Sequence, residues 1–332
     1  MPVSCKLAIV RDHRTRQIRS MDNSSDASEQ VLILELFDET TLAYLRRKHT
    51  GGRSGAKGAR YEDVFAAVKL AEAACAKGID CRHVVFQTQV PLRFVDDLLI
   101  YDELDARQSY FQLKNSPTVT WGNGVDGLSS DFVGQAILSK ADCHSSFELV
   151  LVVSDSAAAQ RLTATIPDQL RDVTRVEWFP WDEPLTLLCE RWESELSALA
   201  WLSKQAEPTF HDLAEVLGIL CGTWALHGSP ATAHDLIDAA RRLSPTLIRP
   251  LVAEEDVLRT LRDDFKATLA IIENFSYSIV KGFFAWEARH PNGTVTAGVL
   301  SHDCLSENFQ AFQTRLVKLA PLTFESMEDE LL

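Results

Sequence analysis

Two kinds of hydrophobic pattern occur in the first half of the chain. Short apolar runs of strand length predict buried strands, and apolar residues that recur every three or four positions predict amphipathic helices. The predicted strands are Cys5–Val10, Val31–Phe37, His83–Val90, Phe94–Tyr101, Ser109–Asn115, Phe147–Ser154 and Val176–Phe179. The predicted helices are Thr40–His49, Tyr61–Lys77 and Ser130–Lys140.

After Trp181 the pattern becomes mostly helical. Thr209 and Asp212 form a capping signal at the start of one helix, and Asn292-Gly293 between two strand-like runs predicts a β-hairpin. The predicted elements are helices Leu185–Lys204, Phe210–His227, Thr232–Leu243, Glu254–Ile272 and Ser306–Lys318, and hairpin strands Phe283–Arg289 and Thr294–Leu300. We therefore predict an α/β domain over residues 1–181 and a mostly helical domain over residues 182–332.

The composition restricts the class of protein. The chain has 332 residues, of which 46% are hydrophobic and 24% are charged, as is ordinary for a soluble globular protein. It has no run of about 18 uncharged apolar residues, and its N-terminal stretch becomes charged too early for a signal peptide. The seven cysteines are scattered, without a CxxC pair, and the nine histidines show no zinc-site spacing. We expect a cytoplasmic protein with free thiols, no zinc site and no membrane association.

The net charge of −14 disfavours broad, non-specific binding of nucleic acid. The charge is uneven, however, because residues 1–60 contain eleven basic and seven acidic residues. Six of the basic residues fall between Arg46 and Arg60, a stretch without acidic residues. Such a segment suits a local phosphate contact or an ordinary solvated loop, and on charge alone we favour the loop.

Polar residues in two consecutive predicted strands carry the candidate chemistry. Gln112 and Lys114 are two residues apart in one strand, so they point to the same face. The preceding strand is apolar except for Asp96 and Asp97 near its middle, where a carboxylate is costly to bury unless it is paired or bound to metal. Asp96 is expected to face away from Asp97, as a surface or supporting group.

Hydrolysis of a phosphodiester bond needs groups of this kind. Carboxylate oxygens hold Mg²⁺ or Mn²⁺, and the metal stabilises charge on the phosphate and activates a water molecule. An ammonium group such as that of Lys114 orients this water or stabilises the developing oxyanion. The alternative for Asp97 and Lys114 is a structural ion pair at the edge of the sheet.

Three short motifs in this region resemble a known family. They are Arg60-Tyr61-Glu62, Val95-Asp96-Asp97-Leu98-Leu99-Ile100 and Tyr110-Phe111-Gln112-Leu113-Lys114. Their order and spacing resemble the PD-(D/E)XK nuclease superfamily, and more closely its branch with Gln-x-Lys in the third motif. That branch includes Mrr-type restriction endonucleases and the double-stranded DNA endonuclease domains of bacterial anti-phage effectors. The resemblance covers about residues 55–140.

The resemblance implies both a fold and a function. The fold is α/β, with a restriction-endonuclease-like mixed sheet flanked by helices and followed by the mostly helical C-terminal domain with its β-hairpin. The activity is metal-dependent hydrolysis of DNA by an endonuclease of a prokaryotic anti-phage system. The implied catalytic residues are Asp97, Gln112, Lys114 and Glu62, and the implied ligands of Mg²⁺ or Mn²⁺ are Asp97, Gln112 and Glu62. The implied partners are double-stranded DNA, a partner ATPase or another defence subunit, and further copies of the chain.

The chain departs from the family pattern in two places, which keeps a second hypothesis open. Gln112 stands where most relatives have an acid, so the metal site has one charge less. Gln87 and Gln89 lie in the strand where many relatives carry another acid. The alternative is a catalytically inactive module of nuclease fold that binds nucleic acid or assembles a complex. A nuclease acting on RNA also stays open, because no residue pattern indicates whether the 2′-hydroxyl is read.

Other candidates have ordinary structural interpretations. Glu62 is otherwise a solvated acid near a helix start, where the helix dipole favours it. Trp121–Gly124 is interpreted as a loop that could also line a substrate groove. The C-terminal helices and hairpin could form a winged-helix-like unit with basic side chains on phosphate, but helical packing with exposed arginines is the interpretation we favour. The arginines concerned are Arg241, Arg242 and Arg249.

Overall fold

The computed structural model describes residues 28–51, 56–122, 127–142, 146–181, 184–192, 196–227, 230–252 and 254–331. The predicted strand Cys5–Val10 lies outside these residues. The chain forms two compact units. The first contains the described residues of Met1–Ala59 with Thr88–Leu99 and Ala106–Trp178, and the second contains Arg60–Gln87, Ile100–Asp105 and Phe179–Leu332. The domain division after residue 181 stays a prediction.

The largest sheet has six strands and is mixed. Its strands are β1 (Val84–Thr88), β2 (Leu98–Asp102), β3 (Arg107–Lys114), β4 (Ser146–Val153), β5 (Thr174–Trp178) and β6 (Ala231–Thr232). Their order in the sheet is β5-β4-β3-β2-β1-β6. β3, β4 and β5 are parallel neighbours, whereas β1 pairs antiparallel with β6. The predicted α/β class with a mixed sheet and flanking helices is confirmed, and the restriction-endonuclease-like assignment stays a prediction.

β4 forms the centre of the first unit. Its last five residues are all buried, and it has a parallel partner on each side. A strand covered on both faces is expected to be continuously apolar, as this one is. Two helices, α4 (Leu128–Ala141) and α5 (Ser156–Ala164), pack on one face of the strand. The buried contacts on this face come from Phe132, Ala136, Ala158, Leu162, Leu149, Leu151 and Val153.

The described residues from 28 to 36 are helical, so the prediction of a strand at Val31–Phe37 is wrong. Residues 28–36 form α1, and α2 (Glu39–Gly51) follows. Ile33 is fully buried, whereas Val31 and Leu34 are more than 40% exposed. Only one side of the apolar run is therefore covered, and the length of the run alone could not distinguish this from a buried strand.

In the second unit, the sequence predicts where the helices begin better than how long they are. They are α3 (Ala56–Lys77, from Arg60 onward), α6 (Leu185–Arg191), α7 (Ser197–Leu202), α8 (Phe210–Leu226), α9 (Ala233–Leu243), α10 (Glu254–Thr260), α11 (Asp263–Ala270), α12 (Glu307–Leu319) and α13 (Glu328–Leu331). The capping box of α8 is confirmed: Thr209 and Asp212 each accept a hydrogen bond from the backbone of the other. Gly78, with φ of +55°, follows the last residue of α3.

Two helices that the sequence predicts as continuous are broken in the structure. The predicted helix Leu185–Lys204 divides where Trp192 ends α6 and packs edge-on against Phe179, with ring centroids 4.9 Å apart. The predicted helix Glu254–Ile272 divides at Arg262, whose extended backbone donates its N–H to the side chain of Gln313 at 2.9 Å. In each case the residue at the break contacts a residue outside the predicted helix, which the helical periodicity does not reveal.

The C-terminal part of the second unit contains a three-stranded antiparallel sheet. Its strands are β7 (Phe275–Val280), β8 (Phe283–Arg289) and β9 (Val295–Asp303), in the order β7-β8-β9. The predicted β8–β9 hairpin is confirmed, with Gly293 at φ of +85° in its turn. β7 was not predicted. Its residues alternate between exposed and partly buried, and one face packs on an aromatic core around Phe265 and Phe284.

The turn between β7 and β8 docks on α7 through a lysine. Lys281 and Gly282 both have positive φ, as a two-residue hairpin turn requires. A Cβ at Gly282 would lie 2.4 Å from Cγ of Pro250, so only glycine fits there. The Lys281 ammonium donates to three carbonyl oxygens at the end of α7, those of Ala200 (2.8 Å), Ser203 (3.0 Å) and Gln205 (2.6 Å). The Ala200 carbonyl is in the last turn of α7, where carbonyls lack partners within the helix, and Ser203 and Gln205 follow the helix end at Leu202.

We expect Lys281→Met to lower the free energy of unfolding by about 1–3 kcal/mol, because it removes charged hydrogen bonds from partly buried carbonyls. Urea titration followed by circular dichroism measures the change. Lys266→Met is the matched control, because its ion pair with Asp263 is exposed, and its effect should stay within about 0.5 kcal/mol. Equal effects of the two substitutions would contradict a stabilising role for the Lys281 contacts.

Candidate active site

Asp96 and Asp97 lie in an irregular segment directly before β2. The predicted strand Phe94–Tyr101 is therefore wrong in its first half, because β2 begins at Leu98. The carboxylates are placed by a bend at the entrance to the strand and not by the alternation of a strand. Strict alternation, which predicts that the two aspartates face away from each other, does not apply to them.

Side chains hold the backbone of this irregular segment in place. Oε1 of Gln135, a fully buried residue of α4, accepts hydrogen bonds from the N–H groups of Phe94 (3.0 Å) and Val95 (3.4 Å). Oγ1 of Thr88 donates to the carbonyl oxygen of Asp97 at 2.9 Å. These bonds replace the strand pairing that the segment lacks, because buried backbone groups must be paired.

β3 supplies the other half of the site. Gln112 and Lys114 pair in register with Leu151 and Val153 of β4, so they lie on the face that α4 and α5 cover. Gln112 is 2% exposed and Lys114 is partly buried. The remaining residues of this strand segment, Phe111 and Leu113, are buried on the opposite face, as the alternation predicts.

The structure brings Asp97 and Gln112 into direct contact. Oδ2 of Asp97 accepts a hydrogen bond from Nε2 of Gln112 and another from the backbone N–H of Leu113, at 2.7 Å. The carboxylate is thus fixed by both the side chain and the backbone of β3. The other end of the Gln112 amide, Oε1, is buried and has no hydrogen-bond partner among the described residues. An unsatisfied buried acceptor is costly, so its position beside a carboxylate needs an explanation.

The electrostatics of the site are set by burial and by Lys114. Burial raises the pKa of Asp97, and the positive charge of Lys114 acts against this shift. Burial also raises the pKa of Asp96, to about 6, and the nearby lysine Lys48 lowers it in part. Both carboxylates are therefore held in an environment that resists their negative charge, which is typical of functional sites.

A buried cluster next to the site was missed by the sequence analysis. The ammonium of Lys48 in α2 lies 2.7 Å from Oδ2 of Asp131 in α4 and 3.5 Å from Oδ1 of Asp96. It also donates to the carbonyl oxygen of Phe94. Tyr44 Oη donates to the other oxygen of Asp131 at 2.9 Å.

Asp96 is 3% exposed, so the expectation that it is a surface group is wrong. Lys48 stands within the basic stretch, and that was the only signal in the sequence.

Other predicted residues lie elsewhere. Glu62 is in α3 and is partly buried there, within the second unit. Its role as a metal ligand stays a prediction.

Trp121 is buried in the core of the first unit, where its indole N–H donates to the carbonyl oxygen of Leu162 at 3.0 Å. It is therefore not a surface residue that could line a groove. Of the remaining loop residues, 123 and 124 lie outside the described part of the chain.

The three C-terminal arginines contact protein groups. Arg241 forms ion pairs with Asp303 (2.8 Å) and Asp238 (3.0 Å), and Arg242 also pairs with Asp238. The guanidinium of Arg249 lies 4.5 Å from the ring centroid of Trp201. These contacts agree with helical packing and do not support the winged-helix alternative. Arg249 is only 9% exposed, so the expectation that the three arginines are exposed is wrong for this residue.

The donor atoms of the site suit a hard cation in part. The Asp97 carboxylate and Oε1 of Gln112 are oxygen ligands, which Mg²⁺ and Mn²⁺ prefer, and a cation ligand role would explain the unsatisfied Oε1. Within the described residues no group of three or more His, Cys, Asp or Glu side chains is arranged to hold a metal ion. Mg²⁺ is commonly held by one or two carboxylates, and water and substrate phosphate complete its coordination shell. The oxygens of Asp97 and Gln112 would therefore suffice as protein ligands.

Comparison with known proteins gives no further assignment. No family model, no curated protein and no solved structure matches this chain. Among the described helices, none has the length and apolar composition needed to cross a bilayer. The functional conclusion therefore depends on the geometry of Asp97, Gln112 and Lys114 and on the resemblance of the motifs.

Proposed function

We propose that this protein is a metal-dependent endonuclease that hydrolyses phosphodiester bonds in DNA. The observation that carries the proposal is the contact of Asp97 with Gln112 and with the backbone of Leu113, on the strand that also presents Lys114. A motif match in sequence is weak evidence by itself. Here residues of two of the motifs that carry the resemblance lie in direct contact, which supports the proposal.

Each residue has a role that its surroundings support. Asp97 and Gln112 would hold Mg²⁺ or Mn²⁺, which when bound supplies a Lewis acid for the phosphate and lowers the pKa of a water molecule. Lys114 would orient the attacking water or stabilise the charge that develops on the phosphate oxygens. Glu62 is proposed as a supporting ligand on the basis of the resemblance. Cytoplasmic double-stranded DNA is the proposed substrate.

The wider biological role is proposed from the resemblance. The Gln-x-Lys branch includes effectors of prokaryotic anti-phage systems, in which a nuclease must be restrained until it is needed. The sequence contains no Walker motif, so a partner ATPase or another defence subunit would supply any nucleotide hydrolysis. Residues 182–332 are proposed as an effector, sensor or oligomerisation domain, and further copies of the chain as partners in this restraint.

A second candidate function is a catalytically inactive module that binds nucleic acid or assembles a complex. It is favoured by a specific observation: Oδ2 of Asp97 is already engaged by two hydrogen-bond donors. A structural role for this carboxylate needs no metal. The two functions differ in their response to Mn²⁺, which a purely structural Asp97 would not bind.

The test is cleavage of a supercoiled plasmid by the full chain in Mg²⁺, in Mn²⁺ and in excess chelator, with a linear single-stranded RNA as a parallel substrate. We expect nicked and linear plasmid only when metal is present, because the metal activates the water and neutralises the phosphate. Manganese binding is measured in the same preparation by electron paramagnetic resonance. Nucleic-acid binding without metal binding or cleavage would favour the inactive module. Metal-independent cleavage would contradict the proposed mechanism.

A further inference from the structure

The ammonium of Lys48 is surrounded by acceptor oxygens next to the candidate active site. It lies among three oxygen atoms: Oδ2 of Asp131 at 2.7 Å, Oδ1 of Asp96 at 3.5 Å, and the carbonyl oxygen of Phe94. The Lys48 side chain is 18% exposed, and the two carboxylates are 4% and 10% exposed. We call Lys48, Asp96, Asp131 and the Phe94 carbonyl the Lys48 clamp.

We propose that Lys48 is a positioning residue for the candidate active site. Its ammonium fixes the irregular segment from Phe94 to Asp96 and thereby determines where the next residue, Asp97, presents its carboxylate to β3. This inference rests on the proposed function only for the chemical role of Asp97. The positioning itself is a structural claim that can be tested without any nuclease activity.

The Lys48 ammonium connects the irregular segment to helices α2 and α4. The ammonium donates to the backbone carbonyl of Phe94 and forms an ion pair with the Asp96 carboxylate at 3.5 Å, immediately before Asp97. Oδ1 of Asp96 accepts no hydrogen bond among the described residues. On the opposite side of the clamp, Asp131 is held by Tyr44 at 2.9 Å, so α2 contributes both the cation and the support for its anion. The clamp thus ties α2 and α4 to the one non-regular segment of the site.

Negative charge is concentrated around this segment. Asp96 and Asp131 are both buried and lie 3.5 Å and 2.7 Å from the Lys48 ammonium, and Asp97 follows Asp96 directly in the chain. Several carboxylates in one buried region repel each other and need a fixed cation. Lys48 supplies that cation at Asp96 and Asp131. Without it, Asp96 would be expected to move toward solvent, and Asp97 with it.

The structure also supplies a spectroscopic reporter. The backbone N–H of Leu113 donates to Oδ2 of Asp97 at 2.7 Å, and a hydrogen bond to a carboxylate is short and strongly polarised. The Leu113 amide proton is therefore expected to resonate downfield in the native protein. Displacement of Asp97 weakens this bond and moves the resonance upfield.

The experiment compares nitrogen-15-labelled wild type with Lys48→Met and with Arg47→Met, the exposed neighbour on the same helix. We expect the downfield shift of the Leu113 amide to be lost in Lys48→Met and retained in Arg47→Met. Lys48→Ala should recover the shift in propylammonium chloride but not in propanol, because only the amine replaces the missing ammonium. An unchanged Leu113 amide in folded Lys48→Met would overturn the proposal.

A milder variant covers the case in which Lys48→Met does not fold. Asp131→Asn keeps the ammonium but removes the charge of its closest partner, so the same upfield movement is expected to a smaller extent. Manganese affinity is the second readout, and we expect it to fall roughly 10- to 100-fold when the support of a ligand is lost. If the Leu113 resonance moved in Lys48→Met but the wild type bound no manganese, the positioning role of Lys48 would be upheld and the proposed function would be rejected.

Discussion

Asp97→Asn and Lys114→Met are each expected to reduce metal-dependent DNA cleavage by about 100- to 1000-fold, the effect typical of removing one electrostatic group from a preorganised site. Asn at position 97 keeps the shape of the side chain and can still accept from Leu113, which lies 2.7 Å away. It removes the negative charge that holds the metal. Met at position 114 keeps the apolar stem of the lysine and removes its ammonium. Plasmid nicking rates under single-turnover conditions measure both losses.

Two matched controls separate a loss of chemistry from a general effect of charge. Asp168→Asn changes a carboxylate that is 91% exposed, and Lys140→Met changes an exposed lysine of α4. Both should cleave at the wild-type rate. Thermal unfolding of all four variants shows whether they are folded. Unaltered cleavage by folded Asp97→Asn and Lys114→Met would place the active site elsewhere.

Asp96→Asn is expected to stabilise the protein at neutral pH by about 3 kcal/mol. Asp96 is 3% exposed, and burial raises its pKa from an ordinary value of 3.8 to about 6. An acid whose pKa is higher in the folded state stabilises the fold fully below its unfolded pKa, and this stabilisation is lost as the pH rises through the folded pKa. Each pKa unit corresponds to about 1.4 kcal/mol. Asn mimics the protonated acid at every pH and avoids the loss.

The measurement is the free energy of unfolding from urea titrations between pH 4 and pH 8. The difference between Asp96→Asn and wild type should be about 0.6 kcal/mol at pH 4, grow through pH 5 and 6, and level off near pH 7. The exposed Asp168→Asn variant should show no such trend. If Asp96→Asn were less stable than wild type at pH 8, the ion pair with Lys48 would outweigh the cost of burying the charge.

A gain in stability at Asp96 would have a functional meaning. A protein keeps a buried carboxylate that lowers its stability when its function needs the negative charge, as is common at functional sites. Asp96 carries that charge beside Asp97 and against Lys48. The stability profile therefore complements the cleavage assay, because it examines the site without requiring substrate, metal or a partner.

The sequence by itself determined several features of this protein. The alternation in β3 placed Gln112 and Lys114 on one face, and the continuous apolar run of β4 indicated a strand covered on both sides. The capping box of α8 and the Asn-Gly turn of the C-terminal hairpin were also predictable. These features depend on residues that are near each other in the chain, so local pattern and turn chemistry are enough to specify them.

Tertiary structure decided the rest. Residues 28–36 form a helix whose Ile33 face is buried by the rest of the protein, whereas the opposite face is exposed. A short apolar run does not reveal how many of its faces other residues will bury. Arg262 interrupts a helical pattern because a distant glutamine accepts its N–H. The Lys48 clamp joins residues more than 40 positions apart. From the sequence, Lys48 is expected to be one of six solvated basic residues in the same stretch. Whether a charged residue is solvated or buried against a partner depends on packing between distant segments, and local sequence carries no record of that packing.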